Sequence, residues 1–332
     1  MRAIRRILVA IKQTEARSLP IVAKAAQLAR ALGAEMELFH AIDAPLYTDV
    51  ANSDRRAVKQ LADYWCRQFA QQLDRAAARV RGADLKIATA VEWDYPGYEA
   101  IIRRAHRIAA DLIIAECHGR RHVAPWLLHM TDWELLRLSP VPVLIVKSPR
   151  PYRHPVVLAA VDPSHAFAKP GRLDEEILQL GGALEEALRG TLHALHACTL
   201  PLPVGTPPIA WTRGKMQAPA IQAEIEAKAV AQARPGFDRV MKSADIPRSR
   251  RHLVARHPID AIPELARRTH CAIVVMGAVS RSGLKSIFIG NTAERVLDCL
   301  QCDLLVVKPQ RFETRVPRAV RGVRIAAATP LP

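Results

Sequence analysis

The chain has 332 residues, half of them hydrophobic and few aromatic, with a formal net charge of +16. That length exceeds a typical single domain and suits two, each with apolar residues enough for its own core. No apolar run approaches the roughly eighteen residues of a membrane span, and the run after Arg6 is too short for a signal-peptide core, so a cytoplasmic protein with no membrane partner is expected.

In chain order, β-branched runs bounded by Gly, Pro or Asp predict strands over 5–12, 34–41, 84–92, 111–116 and 142–147. The helical pattern falls between them, over 18–32, 54–81, 97–109 and 131–138. A linker rich in Pro and charge follows at 148–155. The alternation then repeats, with strands over 155–162, 190–198, 249–255, 271–276 and 302–308 and helices over 173–189, 218–244, 259–269 and 292–299. Apolar strands alternating with helices argue an α/β fold: two tandem doubly wound parallel sheets of five strands each, buried on both faces. Such sheets bind ligands beyond the carboxyl ends of the strands, where strand order reverses. The stretch 200–219 carries five prolines and reads as a long loop, a candidate lid. The expected units are 1–148 and 155–310, followed by a basic tail without structure over 311–332.

The two halves match each other without a gap. Residues 97–147 align with 258–308 at a constant offset of 161. Leu112-Ile113-Ile114-Ala115 falls on Ile273-Val274-Val275-Met276, and Leu144-Ile145-Val146-Lys147 on Leu305-Val306-Val307-Lys308. Ile7–Lys12 resembles Val157–Asp162 at a smaller offset. A long period that drifts only in the loops marks a duplicated domain. The last strands, 142–147 and 302–308, are the edges that such a pair would join as an internal pseudo-dimer, which removes two exposed edges. A homodimer is the alternative way to cover them.

One segment carries chemistry. Met276-Gly277-Ala278-Val279-Ser280-Arg281-Ser282-Gly283 follows an apolar strand, and Gly290-Asn291-Thr292 opens a helix. A strand, a Gly-rich turn and a helix N-terminus form an anion cradle, because small residues admit the ligand and free N–H groups point at it. Asn291 with Glu294 fits a capping box. Arg281 and Lys285 lie within the loop. A connection that binds nothing fits the segment equally well.

This segment resembles the ATP-binding signature of universal stress proteins, Gly-x-x-Gly, nine residues, then Gly-Ser/Thr. Gly277 and Gly290 stand at the right separation; Ser280 replaces the middle glycine and Asn291 the Ser/Thr. The wording around Gly290–Glu294 and Cys302–Pro309, and Thr131–Leu136 in the first half, is similar to the tandem, E-type members of that family. The resemblance implies an adenine nucleotide, ATP or a relative, as cofactor. Asp162 would face the adenosine end, Ala197 and Met276 would wall the base, and Gly277, Ser280, Gly290, Asn291 and Thr292 would hold ribose and phosphates. A carboxylate only accepts hydrogen bonds, which suits an amine or a ribose hydroxyl. Asp162 reads equally well as a turn starter before Pro163.

The first half has lost the pattern: Lys12, Glu116 and His129 stand where the second has Asp162, Gly277 and Gly290. A carboxylate about 4 Å from a phosphate charge costs about 4 kcal/mol at an effective dielectric near 20. His118, His122 and His129 share one loop, with Glu116 as the sole acidic partner, so no metal site is expected. Trp126 and Trp133 read as core before they read as a cap on an apolar ligand. His193 and His196, three apart on a strand, point to opposite faces. Arg103, Arg104 and Arg107 read as the wet face of a helix. The six cysteines read as packing residues, although Cys299 and Cys302 have C-x-x-C spacing.

Paired carboxylates, a nucleophile–base pair and a metal ligand set are all missing from this loop, as are the Ser-Gly-Gly-x-Asp-Ser loop and His-x-Gly-His pair of related nucleotide enzymes. The expectation is a non-catalytic stress-response protein, with at most slow ATP hydrolysis. A scaffold for an apolar, lipid-like ligand is the alternative. The spread of positive charge implies salt-sensitive, non-specific contact with nucleic acid and no specific nucleic-acid partner.

Overall fold

The computed structural model describes residues 3–15, 19–43, 55–116, 130–163, 172–198, 218–242, 244–278, 291–309, 312–319 and 325–329. In the first half β1 (Arg6–Ala10), β2 (Glu35–Ile42), β3 (Ile87–Trp93), β4 (Leu112–Glu116) and β5 (Val143–Val146) alternate with α1 (Pro20–Leu32), α2 (Arg55–Val80), α3 (Gly97–Arg107) and α4 (Met130–Leu138). The second half repeats this with β6 (Val156–Ala160), α5 (Leu173–Leu188), β7 (Thr191–Ala197), α6 (Ala218–Met241), β8 (Arg251–Val254), α7 (Pro258–Arg268), β9 (Ile273–Gly277), α8 (Asn291–Cys299) and β10 (Asp303–Val307). A last strand, β11 (Ile325–Thr329), belongs to the tail.

All eleven strands form one sheet in the order β11-β3-β2-β1-β4-β5-β10-β9-β6-β7-β8. Pairing within each half is parallel, as between β1 and β4 or β6 and β9. The halves meet where β5 and β10 run antiparallel, with Leu144 opposite Leu305. The two expected five-stranded sheets are thus continuous through their last strands.

Strand alternation divides the core into two layers. Ile7, Val9 and Leu38 pack with Leu28 and Leu73 beneath α1 and α2, and Leu8, Phe39 and Ile113 pack with Ile102 and Leu135 beneath α3 and α4. In the second half α5 and α6 cover the first face, α7 and α8 the other. Helix ends follow local rules. α1 opens on Pro20, and at its end Gly33 adopts φ +64° while the Ala34 N–H donates to the Ala29 carbonyl at 2.8 Å, closing the helix.

Two expectations are corrected. The tail is not structureless throughout: Ile325–Thr329 pairs antiparallel with β3, Ile325 opposite Trp93. Its Ile-Ala-Ala-Ala-Thr run can lie flat on a sheet edge, a signal hidden by the arginines before it. Nor are the three arginines of α3 a wet face throughout: Arg107 is exposed, as expected, but Arg103 and Arg104 are turned inward. Arg103 is 4% exposed and donates to both oxygens of Asp94, at 2.9 and 2.6 Å, and to Glu99 at 2.8 Å. Arg104 forks onto Glu37 with two bonds of 2.7 Å and reaches Glu92, which also accepts from Arg107. Glu37 on β2 and Glu92 and Asp94 on and just after β3 turn this helix side inward, and Glu99 joins them from α3 itself. Arg103 also reaches the Pro317 carbonyl, tying the tail to α3.

Asp303, fully buried at the start of β10, fastens the halves and the linker together. One oxygen accepts from the Lys147 and Ser148 N–H groups at 2.9 Å each. The other accepts from the Tyr152 hydroxyl at 2.5 Å and from the Lys24 ammonium of α1.

Candidate functional site

β6 ends at Ala160, and the chain leaves the sheet through Val161-Asp162-Pro163. β7 lies on one side of β6 and β9 on the other, so Asp162 stands where strand order reverses. The backbone there is fixed from both sides: the Val161 N–H donates to the Leu195 carbonyl at 2.9 Å, and the Asp162 N–H to Asp174 Oδ1 at 2.9 Å. Asp174 lies in the first turn of α5 and is 2% exposed. The Asp162 carboxylate remains 37% exposed, 4.0 Å from His196 Nδ1. His196 is buried on β7; its Nδ1 lies 3.2 Å from the Val161 carbonyl and so carries the proton, and its ring stacks on Phe237 of α6 at 6.2 Å. α6 passes close over this turn: a Cβ on Gly236 would lie 3.5 Å from Pro163 Cβ.

Ala160 pairs with Met276, which brings the end of β9 beside the exit of β6. Gly277 has a packing reason of its own. A Cβ there would lie 2.7 Å from Leu173 Cδ2 and 3.3 Å from Ile177 Cδ1, so its absence lets α5 close on β9. Met276 is buried in the layer of Leu158 and Leu265, and Ala197 is half-buried at the end of β7. Asp162, Ala197 and Gly277 therefore gather at the ends of three neighbouring strands. Asn291 opens α8 with Thr292 behind it in the first turn. Their side chains, and Ser280, Arg281, Lys285 and Gly290, lie outside the described residues.

The first half keeps the scaffold and fills the cleft. The Ile11 N–H donates to the Phe39 carbonyl at 2.8 Å, His40 Nδ1 lies 2.8 Å from the Ile11 carbonyl, and its ring packs on Phe69 at 4.7 Å. These are the counterparts of Val161, Leu195, His196 and Phe237. Lys12 and Glu116, however, flank a cavity of about 60 Å³ that Asp43 also lines. Asp43 accepts from the Gly97 N–H at 2.9 Å, so a protein carboxylate already occupies the N-terminus of α3. Small-molecule pockets are roughly 300 Å³ or larger. Trp133 packs partly buried against the core, in line with its structural reading. His118, Gly119, His122, Trp126 and His129 lie outside the described residues, as do 200–217 of the long loop.

Sequence reasoning missed the paired roles of His40 and His196. A lone histidine within an apolar strand has no spacing to betray it; only its recurrence in both halves could have. It also missed the partner of His193, which is His252 on β8: the Nδ1–Nε2 distance is 3.0 Å and the rings are nearly parallel. Among the described residues no group of three or more His, Cys, Asp and Glu is placed to hold a metal ion, and no helix is long and apolar enough to cross a membrane.

Comparison with known proteins follows the repeat. The model of the universal stress protein family matches residues 3–147 and again 157–308. Universal stress protein E of Salmonella typhi is 31% identical over 241 residues, which cover 70% of this chain and 72% of that protein. The Escherichia coli K12 protein of the same name is 30% identical over the same shares. Among solved structures, a functionally unknown protein of Pseudomonas aeruginosa PAO1 has a TM-score of 0.64 at 24% identity, covering 93% of this chain and 94% of its own. A universal stress protein of Archaeoglobus fulgidus has a TM-score of 0.56 at 15% identity, covering 93% and 99%.

Proposed function

Because the chain belongs to the universal stress protein family, in the tandem form of universal stress protein E, we propose that it is a stress-response protein that binds one adenine nucleotide, in its second half, without rapid turnover. The observation that carries this reading is the contrast between two equivalent strand ends. In the second half an exposed carboxylate, Asp162, stands at the reversal point beside Gly277. In the first, Lys12, Asp43 and Glu116 crowd a cavity of about 60 Å³.

The described residues fit such a ligand. Asp162 offers acceptors to the adenosine end, Ala197 and Met276 lie beside it at the base, and the N-terminus of α8 at Asn291 and Thr292 presents backbone N–H groups and a favourable dipole to phosphate. By the family resemblance, Gly277 would share the grip on ribose and phosphates with Ser280 and Gly290, which lie outside the described residues. A steady-state ATPase rate above about 1 per second would oppose binding without rapid turnover.

Calorimetric titration of the full chain with ATP tests the assignment. Asp162→Ala should weaken binding by about 1–3 kcal/mol, and Lys12→Ala should leave it unchanged. Equal losses from both variants, or none from Asp162→Ala, would refute it.

A further inference from the structure

At the end of the sheet opposite Asp162, a groove of about 770 Å³ opens beneath the amino ends of β9 and β10, walled by the linker, α7 and the end of α8. Three of the five thiols among the described residues line it: Cys271, Cys299 and Cys302. Cys271 precedes β9 and Cys302 precedes β10, neighbouring parallel strands in which Asp303 pairs with Ile273. Both side chains are buried in one core layer, on the α7 and α8 face of the sheet, and the Cys271 thiol donates to the Ile273 carbonyl at 3.1 Å and lies 3.4 Å from the Val156 carbonyl. Cys299, the C-x-x-C partner suggested by spacing, is exposed at the end of α8. The same groove carries Arg150, Arg153 and Arg267, all exposed.

The neighbouring Cys271 thiol pulls the Cys302 pKa below its ordinary value, against burial and the Asp303 charge, and the Lys147 ammonium assists. The same contact, with burial, pushes Cys271 well up. The two thiols are therefore unlike: one poised to attack, the other to stay protonated until called on. Elsewhere, burial raises Cys66 to about 11.

We propose that Cys271 and Cys302 form a peroxide-oxidisable dithiol, a modification site in which Cys302 reacts first and Cys271 resolves. The Cys302 thiolate attacks one oxygen of a hydroperoxide, the O–O bond breaks, and the departing hydroxide takes up a proton as water. Cys302 is then a sulfenic acid. Cys271 attacks that sulfur, the S–S bond forms, the S–O bond breaks, and a second water leaves with the Cys271 proton. Two thiols and one hydrogen peroxide give one disulfide and two waters. The site adjoins Asp303, so the disulfide would form next to the carboxylate that holds Lys24, Tyr152 and the linker. Nothing in this inference depends on nucleotide binding.

The test is to treat the reduced full chain with hydrogen peroxide, alkylate the remaining thiols, digest, and map the products by mass spectrometry. The expected product is a Cys271–Cys302 disulfide, formed about tenfold faster or more than any oxidation of Cys66. Cys299→Ser should leave this unchanged. Cys271→Ser should halt the reaction at a Cys302 sulfenic acid that a 1,3-dicarbonyl reagent traps. A Cys299–Cys302 disulfide as the main product would overturn the proposal. So would Cys271 and Cys302 that remain alkylatable when Cys66 has been oxidised; both outcomes are read on the unmutated chain.

Discussion

Lys147 and Lys308 occupy the same place in the repeat and show how one residue type is treated in two ways. The Lys147 ammonium donates to the Leu297 and Leu300 carbonyls at the end of α8. Lys308 is 7% exposed and lies 5.0 Å from the Phe312 ring; burial and then the Arg137 charge lower its pKa to about 8. The unfolded lysine titrates near 10.5, so between those values the unfolded chain holds a proton that the folded one refuses. Stability from this site is full above about pH 10.5 and falls as pH drops toward 8, by about 3 kcal/mol in all. Lys308→Met should therefore raise unfolding free energy at pH 7 by about 1–3 kcal/mol, with the gain vanishing above about pH 10; denaturant titration at both pH values measures it. A loss at pH 7 would contradict the assignment. The histidines act with the same sign. Burial lowers His40, His193 and His252, and Arg250 and Arg268 add to the effect at the last two. Their contribution is full above about pH 6.5 and is lost as pH falls through the folded values. Stability should drop between about pH 7 and pH 5, and His193→Gln should flatten that slope; a curve that rises toward acid would refute this.

At the scale of elements, the regular strands and helices were legible because their apolar periodicities are strong and their breaks fall at Gly and Pro. What escaped were contacts set by tertiary partners. Arg103 lies in a run of basic residues, and only Glu99, four residues before it, hinted that a carboxylate faced it; Asp94, which takes both sides of the fork, comes from the chain before α3. Burial lowers the pKa of Arg103, but the bonds to Asp94 and Glu99 outweigh it and raise it overall, so the cation persists. Arg103→Ala strands two carboxylates and should cost about 3–5 kcal/mol by chemical denaturation; a cost below about 1 kcal/mol would mean solvent already shares the site. The strand β11 escaped for a different reason, since an arginine-rich tail outweighed five apolar and small residues in composition. It covers the edge of β3, which would otherwise present open backbone groups. The opposite edge, β8, is short and carries Arg251 and His252. Removing residues 320–332 should therefore increase self-association measured by light scattering; a truncated chain as monodisperse as the parent would show that β3 is protected by other means.

At the scale of the molecule, duplication made the fold readable twice, and the differences between the copies are what single out one candidate site. The placement of Asp162 and Gly277 at neighbouring strand ends could be anticipated because strand ends and glycines are visible in one dimension. The 60 Å³ first-half cavity could not, because Asp43 reaches Gly97 across 54 residues. The join between the halves was foreseen as an edge pairing, but its buried staple was not. Asp303→Ala would leave the Lys24 ammonium, 2% exposed, without its counter-ion and should destabilise by about 3–5 kcal/mol, whereas Tyr152→Phe removes one hydrogen bond and should cost about 1 kcal/mol. Equal effects in thermal unfolding would mean the charge pair is not what holds the linker. The central claim is asymmetry: one scaffold twice, one nucleotide site. Native mass spectrometry of the full chain with saturating ATP reads it most directly. The account predicts a single bound nucleotide per chain, lost in Gly290→Val, where a branched side chain would block the approach of phosphate. Two bound nucleotides, or one that survives Gly290→Val, would contradict it.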